Sequence, residues 1–275
     1  MMTTTLRPTE PLQHAADGTR SRRYQVCVNS RPVGGIHLST HPSLGPAVAQ
    51  IKDLRIEVPD RGRGRGTVAA LAAEEVARSW GCTQLEIRVP AEAGAALRLA
   101  TALGYVHRNR GMEKQLGSIA PELPAGSRGR PLTQAEYGPW SEHGIEGYAQ
   151  DLIDRGVPEA EARAKSQRDH EQLLPQGLAT ENMLLSVLEH EGSRVGCLWV
   201  AFAGEKAFVF DVETDEPHRG RGHGRSLMLL AEAQALSAGR RVLGLNVFAG
   251  NTPAERLYES LGYVTIGYSM YKNLL

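Results

Sequence analysis

Apolar positions along the chain change period several times, and each change marks an element. Over 225–238, Leu227, Leu230, Ala231 and Ala235 recur at helical spacing and predict one buried stripe, with Gly239 as the C-cap. Before it, 184–188, 195–202 and 207–212 read as strands, with a turn over 189–193. After it, 242–247 reads as a buried strand and Thr252-Pro253 opens a short helix ending at Gly262. Two strands, near 263–266 and 269–273, close the chain. Thr133-Gln134-Ala135-Glu136 is a capping box for a helix through Tyr148 to near Asp154. Gly156 stops that helix, and Pro158 begins a second, strongly charged one that ends near Leu174-Pro175. Strands with helices between them predict an α/β (α+β) layer fold, a mixed central sheet flanked by helices.

The later part of this pattern occurs twice. Arg61-Gly62-Arg63-Gly64-Arg65-Gly66 and Arg219-Gly220-Arg221-Gly222-His223-Gly224 stand 158 residues apart. The same offset carries Gly81 onto Gly239, Arg98 onto Arg256, and Leu103-Gly104-Tyr105 onto Leu261-Gly262-Tyr263. From Asp53/Asp211 to Leu116/Leu274, 26 of 64 ungapped pairs are identical, and register held that long is a duplication. The chain of 275 residues is therefore expected to hold two tandem domains, 1–116 and 131–275, joined by a Pro/Gly-bearing linker over 117–130. Hairpin strands at 22–28 and 33–38 match the second copy, with Val33-Gly34 on Val195-Gly196. Too few residues precede Arg22 for the two helices of the second copy, so the N-terminal copy is degenerate.

Composition narrows the functional classes. With 41% hydrophobic and 23% charged residues, both halves can bury a core. Basic and acidic residues number 31 each, which gives no net attraction to nucleic acid or membrane, and neither is expected as a partner. Cys27, Cys82 and Cys197 are scattered, with no metal-ligand spacing, so neither a disulfide framework nor a metal site is expected. The start lacks an apolar core and no apolar run reaches membrane length, so the expected location is cytoplasmic.

A strand that ends in alternating glycines and then opens a helix points successive N–H groups into one small volume. The helix adds its own unpaired N–H groups and the positive end of its dipole. Such a loop suits a pyrophosphate. A Walker-type loop needs a Gly-Lys-Ser/Thr ending that Gly64-Arg65-Gly66-Thr67 lacks. The dinucleotide fingerprint is missing from the second copy, with no acidic residue at the required distance. An Arg-Gly RNA-binding segment would be longer and poor in apolar neighbours.

Arg219-x-x-Gly222-x-Gly224, after a strand and before a helix, resembles motif A of the GCN5-related N-acetyltransferases, where it holds the pyrophosphate of acetyl-CoA. Asn246 to Asn251 and Ala254-x-Arg256-Leu257-Tyr258-Glu259-x-Leu261-Gly262-Tyr263 resemble that family's later motif. The segment 148–180 looks like acceptor-side helices of actinobacterial members, and the tandem layout is similar to that of mycothiol synthase and related two-domain enzymes. The resemblance covers 130–275 well and 22–116 partly. It implies that the C-terminal copy transfers an acetyl group from acetyl-CoA to a primary amine of a small molecule, such as an amino sugar or aminoglycoside-like metabolite. It places cofactor on Val212, Thr214, Arg219, Gly220, Arg221, Gly222, His223, Gly224, Arg225 and Asn251. The first loop, Arg61, Gly62, Arg63, Gly64, Arg65 and Gly66, is its counterpart. Tyr258 would stand beside the sulfur and stabilise the departing thiolate.

For a base, Asp211, Glu213 and Asp215 share one strand face; Asp211 recurs as Asp53, which argues for a structural role, and Glu213 is chosen. Under the offset, Asn251 falls on Ala93 and Tyr258 on Ala100, so the first copy is expected not to catalyse. Trp140, Glu142, His143, Glu146, Tyr148 and Asp151 would give the acceptor side an acidic, aromatic face suited to a cationic amine. Two alternatives stay open: a non-catalytic acyl-CoA-binding sensor or scaffold, and an acyltransferase with another donor or a protein acceptor. Oligomeric state is not legible.

Overall fold

The computed structural model describes residues 4–274. In chain order its strands and helices are β1 (Thr4–Pro8), β2 (Gln13–His14), β3 (Arg20–Val28), β4 (Arg31–His41), β5 (Gly45–Ile56), α1 (Arg65–Ser79), β6 (Gln84–Pro90), α2 (Gly94–Ala102) and β7 (Val106–Gln115). The second copy continues with β8 (Ser127–Pro131), α3 (Gln134–Ile153), α4 (Glu159–Leu173), β9 (Met183–His190), β10 (Ser193–Ala203), β11 (Lys206–Thr214), α5 (His223–Ser237), β12 (Val242–Phe248), α6 (Thr252–Ser260) and β13 (Val264–Asn273).

Packing divides the chain into two compact units. The first takes its described residues from Met1–Arg108, Tyr148–Ser166 and Gly267–Leu275; the second is Asn109–Gly147 with Gln167–Ile266. Strand order in the first is β1, β3, β4, β5, β6, β13, with β2 beside β3. In the second it is β7, β12, β11, β10, β9, β8. Within each unit one neighbouring pair is parallel, β5 with β6 and β11 with β12.

Unit and repeat do not coincide, because the last strand of each copy is built into the other unit. Residues Gly267 to Asn273 of β13 pair with β6, and Asn109 to Gln115 of β7 pair with β12. The repeated side chains make the exchange reciprocal. Lys272 reaches Glu74 of α1 at 2.7 Å, and Lys114 reaches Glu232 of α5 at 2.7 Å. Met270 lies in the core under α1 with Ala73 and Leu85; Met112 lies in the core under α5 with Leu227 and Leu243. The segment Tyr148–Ser166, where α3 ends and α4 begins, also belongs to the first unit. There Gln84 Nε2 donates to Gly156 O at 2.8 Å and Arg108 Nη1 to Arg155 O at 3.3 Å.

The two loop helices fill the same role with different side chains. α1 buries Ala69, Ala70, Ala73 and Ala77, whereas α5 buries Leu227, Met228, Ala231 and Ala235. Two alanines replaced by a leucine and a methionine give the second core the larger apolar area, at roughly 1.5–3 kcal/mol for each large side chain fully buried. In both copies the strand before the bulged one needs glycine: a Cβ on Gly34 would lie 2.1 Å from Arg55 O, and one on Gly196 2.3 Å from Glu213 O.

Three expectations change. The chain closes on one strand, β13, because Gly267 does not break it; a Cβ there would lie 3.2 Å from Val89 O, so the glycine lets β6 approach. The helix after the second loop begins at His223, with left-handed Gly222 (φ 88°) as its N-cap. The segment expected as linker ends in a strand, β8, paired with β9 from Ser127↔His190 to Pro131↔Ser186. No described helix is long and apolar enough to cross a membrane.

Candidate active site

The site begins with an extra residue in β11. Trp199 pairs with Asp211 and Val200 with Val209, so Phe210 has no partner on β10. The bulge puts Val209 and Val212 on the same side, against the core under α5. Asp211 stands opposite Trp199, which packs on the other side with Trp140 and Cys197. Phe210 stacks on the Trp199 ring at 4.8 Å.

Past the bulge the sheet opens. β11 and β12 pair only from Lys206↔Val242 to Val209↔Leu245, yet β11 continues to Thr214 and β12 to Phe248. The β12-facing backbone edge of β11 beyond Val209, which carries Val212 and Thr214, has no strand partner. A second set of free donors lies just beyond: among the described residues, the backbone N–H groups of 220–224 have no hydrogen-bond partner. Gly220 and Gly222 take positive φ (76° and 88°) with nothing within 4 Å of where a Cβ would stand, so the loop surface is clear. The first loop repeats this at Gly62 and Gly64, with φ of 70° and 73°. Five unpaired amides at a helix N-terminus beside an open strand edge fit an extended anionic cofactor with a pyrophosphate.

The loop arginines differ in what they do. Arg219 donates to Thr214 O at 3.2 Å and meets Glu213 at 3.4 Å. Arg225 donates to Ser260 Oγ at 2.5 Å. In the first copy Arg65 is buried and turned onto Asp60. Asn251 is the N-cap of α6, its Oδ1 accepting from Ala254 N at 3.3 Å.

On the α3 side lies a cleft of about 320 Å³ lined by Pro139, Trp140, His143, Arg194, Cys197, Glu213, Asp215, Glu216 and Arg219. His143 Nε2 is 3.0 Å from Glu213 Oε2, and Arg194 Nε donates to Asp215 Oδ2 at 3.2 Å. Asp211 keeps partial exposure. Burial by its surroundings, with the charge of Glu213 adding, nevertheless pushes its carboxyl up to about 6; the Trp140 hydrogen bond and the His143 charge act the other way. Burial likewise pushes the Cys197 thiol up to about 12, with the Asp211 charge adding. Tyr258 is buried in the core under α5, and its phenol is pushed up to about 12 by burial and then by Asp211. Its hydroxyl has no hydrogen-bond partner among the described residues.

Of the acceptor-side residues read from sequence, Trp140 and His143 reach this cleft. Glu142 and Glu146 are exposed on α3, while Tyr148 and Asp151 belong to the first unit, where Asp151 pairs with Arg155 at 2.7 Å. Sequence reasoning missed Arg194 and Cys197, which arrive from β10, and the parting of β11 from β12. No residue type signals either.

Comparison with known proteins agrees with this geometry. The sequence matches the model of the Acetyltransferase (GNAT) family twice, over residues 3–105 and 149–263. An uncharacterised N-acetyltransferase of Bacillus subtilis (strain 168), YycN, is 32% identical over 151 residues, covering 52% of this chain and 96% of that protein. Another from the same organism, YdgE, is 28% identical over 149 residues, 52% of this chain and 95% of that one. Among solved structures, a GCN5-related N-acetyltransferase from Sphaerobacter thermophilus superposes with a TM-score of 0.61 at 20% identity, over 92% of this chain and 80% of that chain. A tandem GNAT protein from the clavulanic acid biosynthesis pathway does so at 0.51 and 20% identity, over 95% and 85%. At such identities the two structures show the fold, two GNAT-type repeats in tandem.

Proposed function

The chain belongs to the Acetyltransferase (GNAT) family, and we propose that its second copy moves an acetyl group from acetyl-CoA to the primary amine of a small cationic molecule. The observation that carries this reading is the opening of β11 from β12 beside the unpaired amides of 220–224, with Tyr258 in the core against which Val212 of the open edge packs. Val212 and Thr214 on the open edge, the loop from Arg219 to Arg225, and Asn251 at the start of α6 are the residues that would hold acetyl-CoA. When bound, acetyl-CoA supplies an activated thioester; the remaining work falls to this chain.

An ammonium with pKa about 10 is neutral about once in a thousand at pH 7, roughly 4 kcal/mol of barrier. The Asp211–Glu213 pair takes that proton. Asp211, at about 6, is a stronger base than an ordinary aspartate while still ionised at neutral pH. Glu213 stands nearer the mouth, held between His143 and Arg219. Tyr258, at about 12, keeps its proton through neutral pH and so acts as a hydrogen-bond donor toward the departing sulfur. The cleft favours a cationic acceptor because Glu213, Asp215 and Glu216 line it, and both of its arginines are already paired with protein carboxylates.

Catalysis is assigned to the second copy because Ala93 and Ala100 stand where it has Asn251 and Tyr258. Calorimetric titration with acetyl-CoA tests the reading. Gly222→Glu, which puts a carboxylate at left-handed backbone beside the free amides, is expected to abolish binding at the second loop and all turnover. Gly64→Glu is expected to leave turnover intact. Turnover that survives Gly222→Glu, or a wild-type protein that binds no acetyl-CoA, would overturn it.

A further inference from the structure

Two positions of the loops change together between the copies. In the first, Asp60 is buried under the loop; Arg31 holds it with hydrogen bonds of 2.8 and 3.1 Å, and Arg65 contacts the same carboxylate. The 158-residue offset turns Asp60 into His218 and Arg65 into His223. An ion pair spanning the loop, from the turn before it to the helix after it, has become two imidazoles with ring centroids 6.1 Å apart.

The groups that bear on His223 are basic or neutral, while His218 shares its turn with Glu216. His190 of β9 stands with its ring 5.0 Å from that of His223, and its Nδ1 is 2.9 Å from Ser127 Oγ of β8. Arg221 of the loop also bears on His223, and none of the groups that shift His223 is a carboxylate. His223 is only 7% exposed. Burial first, then the histidines and Arg221, hold its ring below the usual histidine value. Among the described residues, no three His, Cys, Asp or Glu side chains have a metal-holding arrangement.

We propose that His218 and His223 are positioning residues of the second loop, a pair of imidazoles that gains a proton when the loop takes up an anion and so makes cofactor binding depend on pH. The first loop, closed by a fixed ion pair, lacks this response. The inference rests on reading the second loop as the acyl-CoA pyrophosphate site.

The physical basis is a difference in what titrates. Histidine is the side chain whose ordinary value puts its charge change between pH 5 and 8, whereas guanidinium groups stay charged there. A pyrophosphate against the amides of 220–224 favours the charged imidazole and raises its pKa. Binding then takes up a proton. Affinity is therefore greatest below the value of the free histidine and is lost as pH rises through the value of the bound one.

The test transplants the first loop's pair into the second. Dissociation constants for acetyl-CoA are measured by calorimetry between pH 5.5 and 8.0 for the wild type and for H218D/H223R. The titration of the ligand's own phosphate is common to both proteins, so the ratio of their constants isolates the pair. The ratio is expected to shift about fivefold to tenfold in favour of the wild type as pH falls. A ratio constant across the range would overturn the inference while leaving the acyl-CoA reading intact. A wild type that binds at no pH would overturn both. His223→Gln guards against a double variant that misfolds: in the wild type, acetyl-CoA should raise the pKa of one imidazole NMR signal, identified by its loss in His223→Gln. An unmoved signal would equally sink the proposal.

Discussion

Asp53 and Asp211 occupy the same place in the two copies. Each follows an unpaired bulge residue and stands opposite an aromatic ring of the neighbouring strand, His37 in one and Trp199 in the other. Asp53 is exposed and Asp211 is only partly so, with Trp140 and His143 of α3 bearing on it. Elsewhere in the first unit, Glu86 and Arg108 form a buried ion pair at 3.2 Å, with His41 at 3.6 Å and the Arg108 guanidinium over the Tyr271 ring. The repeated sheet and loop therefore supply a scaffold in both units. The proposed chemistry rests on what the second copy adds to it: Trp140 and His143 from α3, and Asn251 and Tyr258 after β12.

The largest effect that would sharpen this contrast is loss of the proton acceptor. Asp211→Asn is expected to lower kcat about 10³-fold, and Asp53→Asn not at all. Wild-type rate should fall as pH drops through about 6, where Asp211 takes up its proton. Stability should move the other way. The folded carboxyl titrates above its ordinary 3.8, so the stability its protonation contributes is present below that value and lost as pH rises through about 6. Asp211→Asn should then raise denaturation midpoints at pH 7–8, by on the order of 1 kcal/mol, and leave those at pH 4 unchanged. A variant with normal turnover would remove the contrast.

Next, Tyr258→Phe should cost about 10²-fold in kcat with little change in the KM for acetyl-CoA, measured by thiol release. Ala100→Tyr is expected to give the first copy no activity, since Ala93 still stands in place of Asn251 and Asp53 stays exposed. Smaller and symmetric are Lys114→Met and Lys272→Met. Each leaves a buried glutamate, Glu232 or Glu74, without its lysine, and should cost about 2–3 kcal/mol in chemical denaturation. Unequal losses would show that the two exchanged strands are not equivalent. Smallest is Thr133→Ala. Thr133 N and Oγ1 both donate to Glu136 at the start of α3, at 2.9 and 2.7 Å; alanine keeps the first and removes the second, which should cost about 1 kcal/mol.

What could be read in advance was what glycine and spacing encode. The loops, the helices that follow them and the capping box at Thr133 are set by local chemistry, and they stand where their residues put them. The bulge at Phe210 was hidden because the strand Ala207-Phe208-Val209-Phe210 is apolar at every position, so an extra residue leaves no break in its pattern. Strand exchange was hidden for a different reason. β7 and β13 share Met112/Met270 and Lys114/Lys272, so either strand presents the same methionine and lysine to a repeated core and glutamate. Local pattern identifies a strand, not the sheet that receives it. The edge strands β1 and β8 carry too few apolar side chains to announce themselves.

That exchange bears on why a copy without Tyr258 or Asn251 would persist. A gene shortened to its second half would still encode β13, whose partner β6 would be gone, and would lack β7, which lines β12 from Asn109↔Phe248 to Gln115↔Val242. The first half is thus part of the second half's architecture, and the second part of the first's. Substitutions that remove polar groups such as those at 93 and 100 leave the pairing of β7 with β12 intact, whereas deletion of the copy would not, so an exchanged strand preserves both halves of the duplication.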